Sequence, residues 1–291
     1  MSDQYYIIGN PVAKSVSPAI HSEFARQMNQ NMDYHARCVQ SGGLQDIITA
    51  CQLEKVKGVN VTSPCKVQVI DFVDQLHHSA RDCGAVNTIK FDQDGQSIGY
   101  NTDGDGLVQD IVTHLGQVIR GKKVLVLGAG GAVRGIIKKL MAENPKKITL
   151  FNRSYQNAIT LVNTLLIAPE IEVLQTHTQL ENYDIIINAT SASLHGMLPE
   201  GIEPALFQHA SFVYDLSYNL CQPTAFCHFA KEAGAKQVVD GWGMVLFQAA
   251  KAFYYWRGVF PKIDETYYNA LKQACQTRLN LKRMHHDETT T

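Results

Sequence analysis

Hydrophobic spacing along the chain switches repeatedly between a period of two and a period near 3.6. Tyr5 to Gly9, Tyr34 to Val39 and Gly58 to Val61 read as short apolar strands, whereas the stretch after Pro18 and the run Leu44 to Gln52 carry helical spacing. Strands alternating with helices favour βαβ units around a mostly parallel sheet. Asn87 to Phe91 and Ser97 to Asn101, separated by Asp92-Gln93-Asp94-Gly95-Gln96, read as a hairpin that makes this first sheet mixed. An amphipathic stretch from Asp103 to Leu115 leads into a more regular series. Its strands are expected at Val124 to Gly128, Lys147 to Asn152, Glu172 to Gln175, Asp184 to Asn188, Phe212 to Leu216 and Gln237 to Val239. That series predicts a doubly wound unit. Helical spacing returns from Gly243 through Trp256 and again from Asp264, and the polar end from Lys282 to Thr291 is expected to fray.

Length and charge narrow the picture. At 291 residues, the chain lies near the size, about 250 to 300, where one core stops growing, so two domains are expected. A formal net charge of -1 gives no electrostatic footprint for nucleic acid or an anionic membrane, which leaves small-molecule chemistry. The seven cysteines are scattered without a C-x-x-C pair and read as reduced thiols of a cytosolic protein. Met1-Ser2-Asp3-Gln4 has no basic n-region, and no apolar run approaches the roughly 18 residues of a membrane span, so a cytoplasmic location is expected. None of the eleven histidines has carboxylate or cysteine partners at metal spacing; ordinary helix or surface roles are expected for them, His21 and His77-His78 included, and no metal.

Three segments carry candidate chemistry. Asn60-Val61-Thr62-Ser63-Pro64-Cys65-Lys66 and Gly99-Tyr100-Asn101-Thr102-Asp103-Gly104 each follow a strand and each deliver one ionisable side chain. Lys66, after Pro64, is expected to start a short helix, where a cation opposes the macrodipole and needs an anionic partner or a function. With Asp103 it would form an acid/base pair; the plainer reading is a salt bridge between two loops. Gly128-Ala129-Gly130-Gly131-Ala132 closes an apolar strand with bare backbone suited to a pyrophosphate at a helix N-terminus, although the strict G-x-G-x-x-G pattern would place glycine where Val133 stands. The next strand ends in Asn152-Arg153-Ser154 rather than in an acidic residue. A cation there suits the 2′-phosphate of NADP; a merely solvated arginine is the alternative.

The order of these segments, with Gly9-Asn10-Pro11 to Ser17-Pro18 at the start and Asp240-Gly241 to Gln248-Ala249-Ala250 near the end, resembles the shikimate dehydrogenases from about Tyr5 to Trp256. The resemblance implies an α/β chain of two domains with a cleft between them. Residues 1–103 and 240–291 would form a substrate domain with a mixed sheet, and residues 104–239 a Rossmann-like, doubly wound NADP-binding domain. It implies reversible NADPH-dependent reduction of 3-dehydroshikimate to shikimate, a step toward chorismate and the aromatic amino acids. Lys66 and Asp103 would be catalytic. Ser15, Ser17, Thr62, Asn87, Tyr218 and Gln248 would bind substrate, with Asn101 completing the polar set.

Gly128, Ala129, Gly130, Gly131, Ala132, Asn152, Arg153, Ser154, Asn188, Thr190 and Gly241 would bind the cofactor. Plain structural roles stand beside these: helix capping for the serines, turn formation for Asn188 and Thr190, packing for Tyr218. Four positions depart from the family pattern. Lys14 replaces a histidine, Val67 an acidic residue and Asn157 a second basic residue, and the glycine after Ser191 comes only at Gly196. A quinate/shikimate dehydrogenase and an idle NADP- or shikimate-binding regulator are the rivals, the second opposed by the presence of both Lys66 and Asp103. A homodimer is allowed for, and nothing in the sequence fixes it.

Overall fold

The computed structural model describes residues 2–168 and 170–288. In chain order its first elements are β1 (Asp3–Gly9), α1 (Ser17–Gln27), β2 (Met32–Cys38), α2 (Leu44–Leu53), β3 (Gly58–Val61), β4 (Gln75–Leu76), α3 (His78–Cys83), β5 (Thr88–Phe91) and β6 (Ser97–Tyr100). These strands make one mixed sheet in the order β2-β1-β3-β5-β6-β4. β1 pairs parallel to β2 and β3, while β5 runs antiparallel to both β3 and β6, which is the expected hairpin. The two-residue β4 pairs parallel with β6 and is too short to show any period in the sequence.

The strand period decides what each face of this sheet buries. Ile8, Val59, Val61 and Ile89 point into an aliphatic core with Ile48 and Cys51 of α2. The other face is aromatic. Tyr5 lies 4.9 Å from Trp256 between ring centroids, and Phe24 lies 5.8 Å from Phe253. Gly58 is required beneath that face, because a Cβ there would come within 2.3 Å of the Trp256 ring nitrogen. His21, expected in an ordinary helix or surface role, is instead fully buried. Its ring stacks on Tyr34 at 4.4 Å, so the apolar rings around it set its environment.

The chain continues through α4 (Asp103–Val108) and a single π turn (Gln109–His114) to β7 (Lys123–Leu127), α5 (Gly131–Ala142), β8 (Lys147–Phe151), α6 (Tyr155–Thr164), β9 (Ile171–Leu174), β10 (Ile185–Asn188), β11 (Phe212–Asp215), α7 (Ala225–Glu232) and β12 (Val238–Asp240). All six strands are parallel, in the order β12-β11-β10-β7-β8-β9. That is the doubly wound order, with its switch point between β7 and β10. Val124, Val126, Ile148, Leu150, Ile185 and Ile187 fill one core under α5 and α6, and Leu125, Leu127, Ile186 and Val213 fill the other. Both faces of the central strands β7, β8, β10 and β11 are covered, so these read as largely apolar runs rather than as alternation, whereas the edge strands β9 and β12 are only partly buried.

α8 (Trp242–Arg257) and α9 (Glu265–Glu288) end the described chain. The helix of α9 runs past Lys282, where fraying was expected; residues 289–291 of that tail lie outside the described residues. By contact density, one compact unit comprises the described residues up to Arg81, Ala85–Thr102 and Gln248 onward, and the other comprises Asp82–Gly84 and Asp103–Phe247. The second division of these compact units lies inside α8. A buried hydrogen-bonded cluster accounts for that. Tyr214 donates to the Asp110 carboxylate at 2.6 Å and accepts from the Met244 amide at 3.2 Å, and a Cβ at Gly243 would collide with the same carboxylate.

No helix among the described residues is long and apolar enough to cross a membrane.

Candidate active site

In the first unit, two hydroxyls stand at the start of α1. Ser17 is its first residue and is buried, and its amide donates to Ser15 Oγ at 3.2 Å. Ser15 Oγ acts there as an acceptor. Val16 is the capping position and makes no side-chain cap, so neither serine serves as a conventional N-cap. Thr62 is half-buried in the turn after β3, and its amide donates to Ile8 at 2.9 Å.

Lys66 is also half-buried and lies in a turn, not at a helix start. Its carbonyl accepts from the Val86 amide at 2.8 Å, which removes the acceptor that a helix beginning there would need, and a 3-10 helix forms only at Gln68–Phe72. Lys66 is therefore not set against the dipole of a helix beginning at it, as was expected.

Around β5 the polar side chains meet one another. Asn87 Nδ2 donates to Thr102 Oγ1 at 2.9 Å and to Gln248 Oε1 at 3.4 Å; Asn87 Oδ1 accepts from the Thr102 amide at 2.9 Å. Asn87 and Gln248, 161 residues apart, thus belong to one cluster. Asn101 is turned elsewhere, donating to the Ala85 carbonyl at 3.0 Å.

The second unit places the remaining candidates. Asp103 is buried and opens α4. Gly128 follows β7 with φ +111°, a conformation that L side chains rarely adopt, and its amide donates to Phe151 at 2.8 Å. A Cβ on Gly128 would meet the Ala189 carbonyl at 3.0 Å, whereas a Cβ on Gly130 or Gly131 would meet nothing within 4 Å. No side chain caps the N-terminus of α5. A bare, uncapped backbone at the switch point, open above Gly130 and Gly131 and flanked by the half-buried Ala129 and Ala132, fits a dinucleotide pyrophosphate. Val133 is fully buried in the core, and the small residue that matters further on is Gly135, whose carbonyl would lie 2.6 Å from a Cβ on Gly104 of α4. Arg153 and Ser154 are exposed just beyond β8, the strand beside β7, and Asn152 donates to the Ser154 carbonyl at 2.8 Å. A guanidinium held at that edge fits a 2′-phosphate.

Asn188 closes β10. It is completely buried, and its amide donates to Asp215 at 3.0 Å and Ser193 at 3.2 Å while accepting from the Thr190 amide and hydroxyl. These bonds use the whole side chain to shape the Thr190–Ser193 turn. Gly241 similarly serves close packing, since a Cβ would come within 2.2 Å of the Leu216 carbonyl. Tyr218 is half-buried, tilted against Trp242, and lines a cavity of about 620 Å³ with Ser193, Thr224 and His228.

Residues 7–89 match the model of the shikimate dehydrogenase substrate binding domain, and residues 110–219 match that of shikimate / quinate 5-dehydrogenase. A shikimate dehydrogenase (NADP(+)) of Vibrio cholerae is 41% identical over 259 residues, 89% of this chain and 92% of that one. The chain belongs to the shikimate dehydrogenase family. Among solved structures, an Ael1 enzyme from Pseudomonas putida superposes with a TM-score of 0.84 at 35% identity, covering 93% of this chain and 98% of that one. Shikimate 5-dehydrogenase from Thermus thermophilus in complex with NADP(H) and shikimate superposes with a TM-score of 0.82 at 26% identity, covering 94% and 99%.

Within this family frame, two buried carboxylates stand out that sequence reasoning did not single out. Asp215 ends β11 with no exposure, and burial pushes its pKa up, against hydrogen bonds from Thr224 at 2.6 Å and the Ser217 amide at 3.1 Å. Asp110, likewise raised by burial, receives Tyr214. The signal for Asp215 was present: an acidic residue closing the apolar run Phe212-Val213-Tyr214. The signal for Asp110 was absent, because an aspartate within an amphipathic helix reads as solvated.

Proposed function

We propose that this chain is an NADP-dependent shikimate dehydrogenase that interconverts 3-dehydroshikimate and shikimate. The observation that carries the reading is the uncapped, open glycine backbone at the switch point, followed one strand later by Asn152-Arg153, in a chain 41% identical to a named shikimate dehydrogenase (NADP(+)). When bound, NADP supplies the redox partner for the substrate's ring alcohol. Gly130, Gly131 and the first amides of α5 hold its pyrophosphate, and Arg153 holds its 2′-phosphate.

The chain's own residues supply the proton and the positioning. Lys66 gives a proton to the substrate oxygen as the ketone becomes an alcohol and recovers it in the reverse direction. Asp103 accepts a hydrogen bond from a substrate hydroxyl. Ser15 and Ser17 donate to the carboxylate at the head of α1, where the macrodipole favours an anion. Asn87 and Gln248 position the ring hydroxyls. We place this reaction in the cytoplasm, on the path to chorismate, a location supported by seven cysteines of which none is in a disulfide.

Purified protein assayed at 340 nm with shikimate or quinate against NADP or NAD tests this reading. The expected result is highest efficiency for shikimate with NADP; no NADPH formed from shikimate would overturn it.

A further inference from the structure

Behind Asn87 and Gln248 lies a hydrogen-bonded relay whose polarity is determined at two points by backbone groups. Asn60 of β3 and Thr88 of β5 are a directly opposed cross-strand pair, both buried. The Thr102 amide can only donate, and it faces Asn87 Oδ1 at 2.9 Å. Asn87 Oδ1 is thereby the inward atom, and the Thr88 hydroxyl, 2.9 Å away, donates to it. Thr88 Oγ1 then accepts from Asn60 Nδ2 at 3.1 Å. The same nitrogen faces the Asn87 carbonyl at 3.3 Å, an atom that can only accept, so the Asn60 amide has one orientation as well. Asn60 Oδ1 is left to accept, and the Tyr34 hydroxyl donates to it at 2.7 Å.

The order runs outward too. Asn87 Nδ2, which can only donate, faces Gln248 Oε1 at 3.4 Å. The Thr102 hydroxyl accepts from Asn87 and has its one proton shared between Asn87 Oδ1 at 3.2 Å and Gln248 Oε1 at 3.3 Å, so Gln248 turns its oxygen toward this cluster. At the inner end, Tyr34 is buried beside Ser17 and stacked on His21.

We infer that Tyr34, Asn60 and Thr88 are positioning residues that lock the amides of Asn87 and Gln248 in one orientation, so that Gln248 presents a donor to a substrate oxygen. The inference rests on the reading of Asn87 and Gln248 as substrate ligands. Without the Thr88 hydroxyl, Asn87 Oδ1 loses one donor and Asn60 Nδ2 one acceptor, so the two side chains lose the bond that joins them and each is held less firmly by its backbone partner.

The test is steady-state kinetics of Thr88→Val, Thr88→Ser and Tyr34→Phe beside wild type, with shikimate and NADP each varied. Thr88→Val and Tyr34→Phe should each raise the KM for shikimate roughly tenfold, the equivalent of one hydrogen bond, and leave the KM for NADP within about twofold. Thr88→Ser, which restores the hydroxyl, should return the shikimate KM to within about threefold of wild type. A shikimate KM unchanged in folded Thr88→Val or in Tyr34→Phe overturns the relay, as does a Thr88→Ser variant as impaired as Thr88→Val. If wild type itself oxidises no shikimate, the underlying reading of the site fails instead, so the two failures are distinguishable.

Discussion

The two sheets prepare for ligands in opposite ways. On the mixed sheet the site is built from side chains that hydrogen-bond one another, with Asn60, Asn87, Thr88, Thr102 and Gln248 joined in one directed cluster. On the parallel sheet it is built from missing side chains: Gly130 and Gly131 face open space and α5 is uncapped. A substrate with several hydroxyls must be told from close analogues, and only fixed donors and acceptors do that, because a site left with unpaired polar groups rejects the wrong ligand. A pyrophosphate is common to many cofactors and needs only amides and a dipole. On the proposed function, the distinction between NADP and NAD is left to Arg153, which is exposed beyond β8.

The contrast is broken most severely at the chemistry. Lys66→Ala should lower turnover by about 10²- to 10⁴-fold, the usual contribution of a general acid/base group, while the KM for shikimate moves little. If kcat of that variant stays above half of the wild-type value, the proton comes from elsewhere.

Next comes the open backbone. Gly130→Val places a side chain where nothing lies within 4 Å, so the thermal midpoint should stay within about 2 °C while the KM for NADP rises roughly 10- to 100-fold. A large drop in midpoint would mean that this glycine serves the fold.

The aromatic face of the mixed sheet predicts a pH effect on stability alone. Burial pushes the His21 pKa down to about 3, with the Asn60 side chain acting in the opposite sense. Below about 6.5 the unfolded chain binds a proton that the folded chain refuses, so stability is lost as pH falls, by about 1.4 kcal/mol per unit. Between pH 7 and pH 5 this amounts to roughly 2 kcal/mol. Urea denaturation of His21→Leu should show a shallower decline over that range, and an identical slope would assign the acid sensitivity to other groups.

The smallest effect lies at the exposed edge. Arg153→Ala should reduce the preference for NADP over NAD roughly tenfold, and Asn157→Arg should widen it. Added salt should narrow it in wild type, since the contact is open to screening. No change of preference in Arg153→Ala would place recognition of the 2′-phosphate on another residue.

Much of this division could be read from the sequence, and its limits are physical. All six strands of the parallel sheet were legible to within one or two residues, the central ones because strands buried on both faces make apolar runs, and the edge strands β9 and β12 because short apolar stretches mark them despite Glu172 and Asp240. The bare glycine turn after β7 was legible because its backbone demands are local. The relay was not, since joining Asn60 to Thr88 and Tyr34 requires the strand order β2-β1-β3-β5, and each residue alone reads as an ordinary strand position. His21 was misjudged for a related reason: a histidine on a helix reveals its burial only once Tyr34 and Trp256 are known to cover it. Lys66 was given a helix because Pro64 suggests one, and the competing bond from Val86 comes from 20 residues away in the chain.

The division of labour is tested most directly by measuring both Michaelis constants in Ser17→Ala and Gly130→Val side by side. Ser17→Ala should raise the KM for shikimate by about 10- to 100-fold, as expected for one hydrogen bond to a carboxylate, with the KM for NADP unchanged. Gly130→Val should do the reverse. Two variants that each weaken both ligands, or a Ser17→Ala enzyme with wild-type affinity for shikimate, would contradict the account.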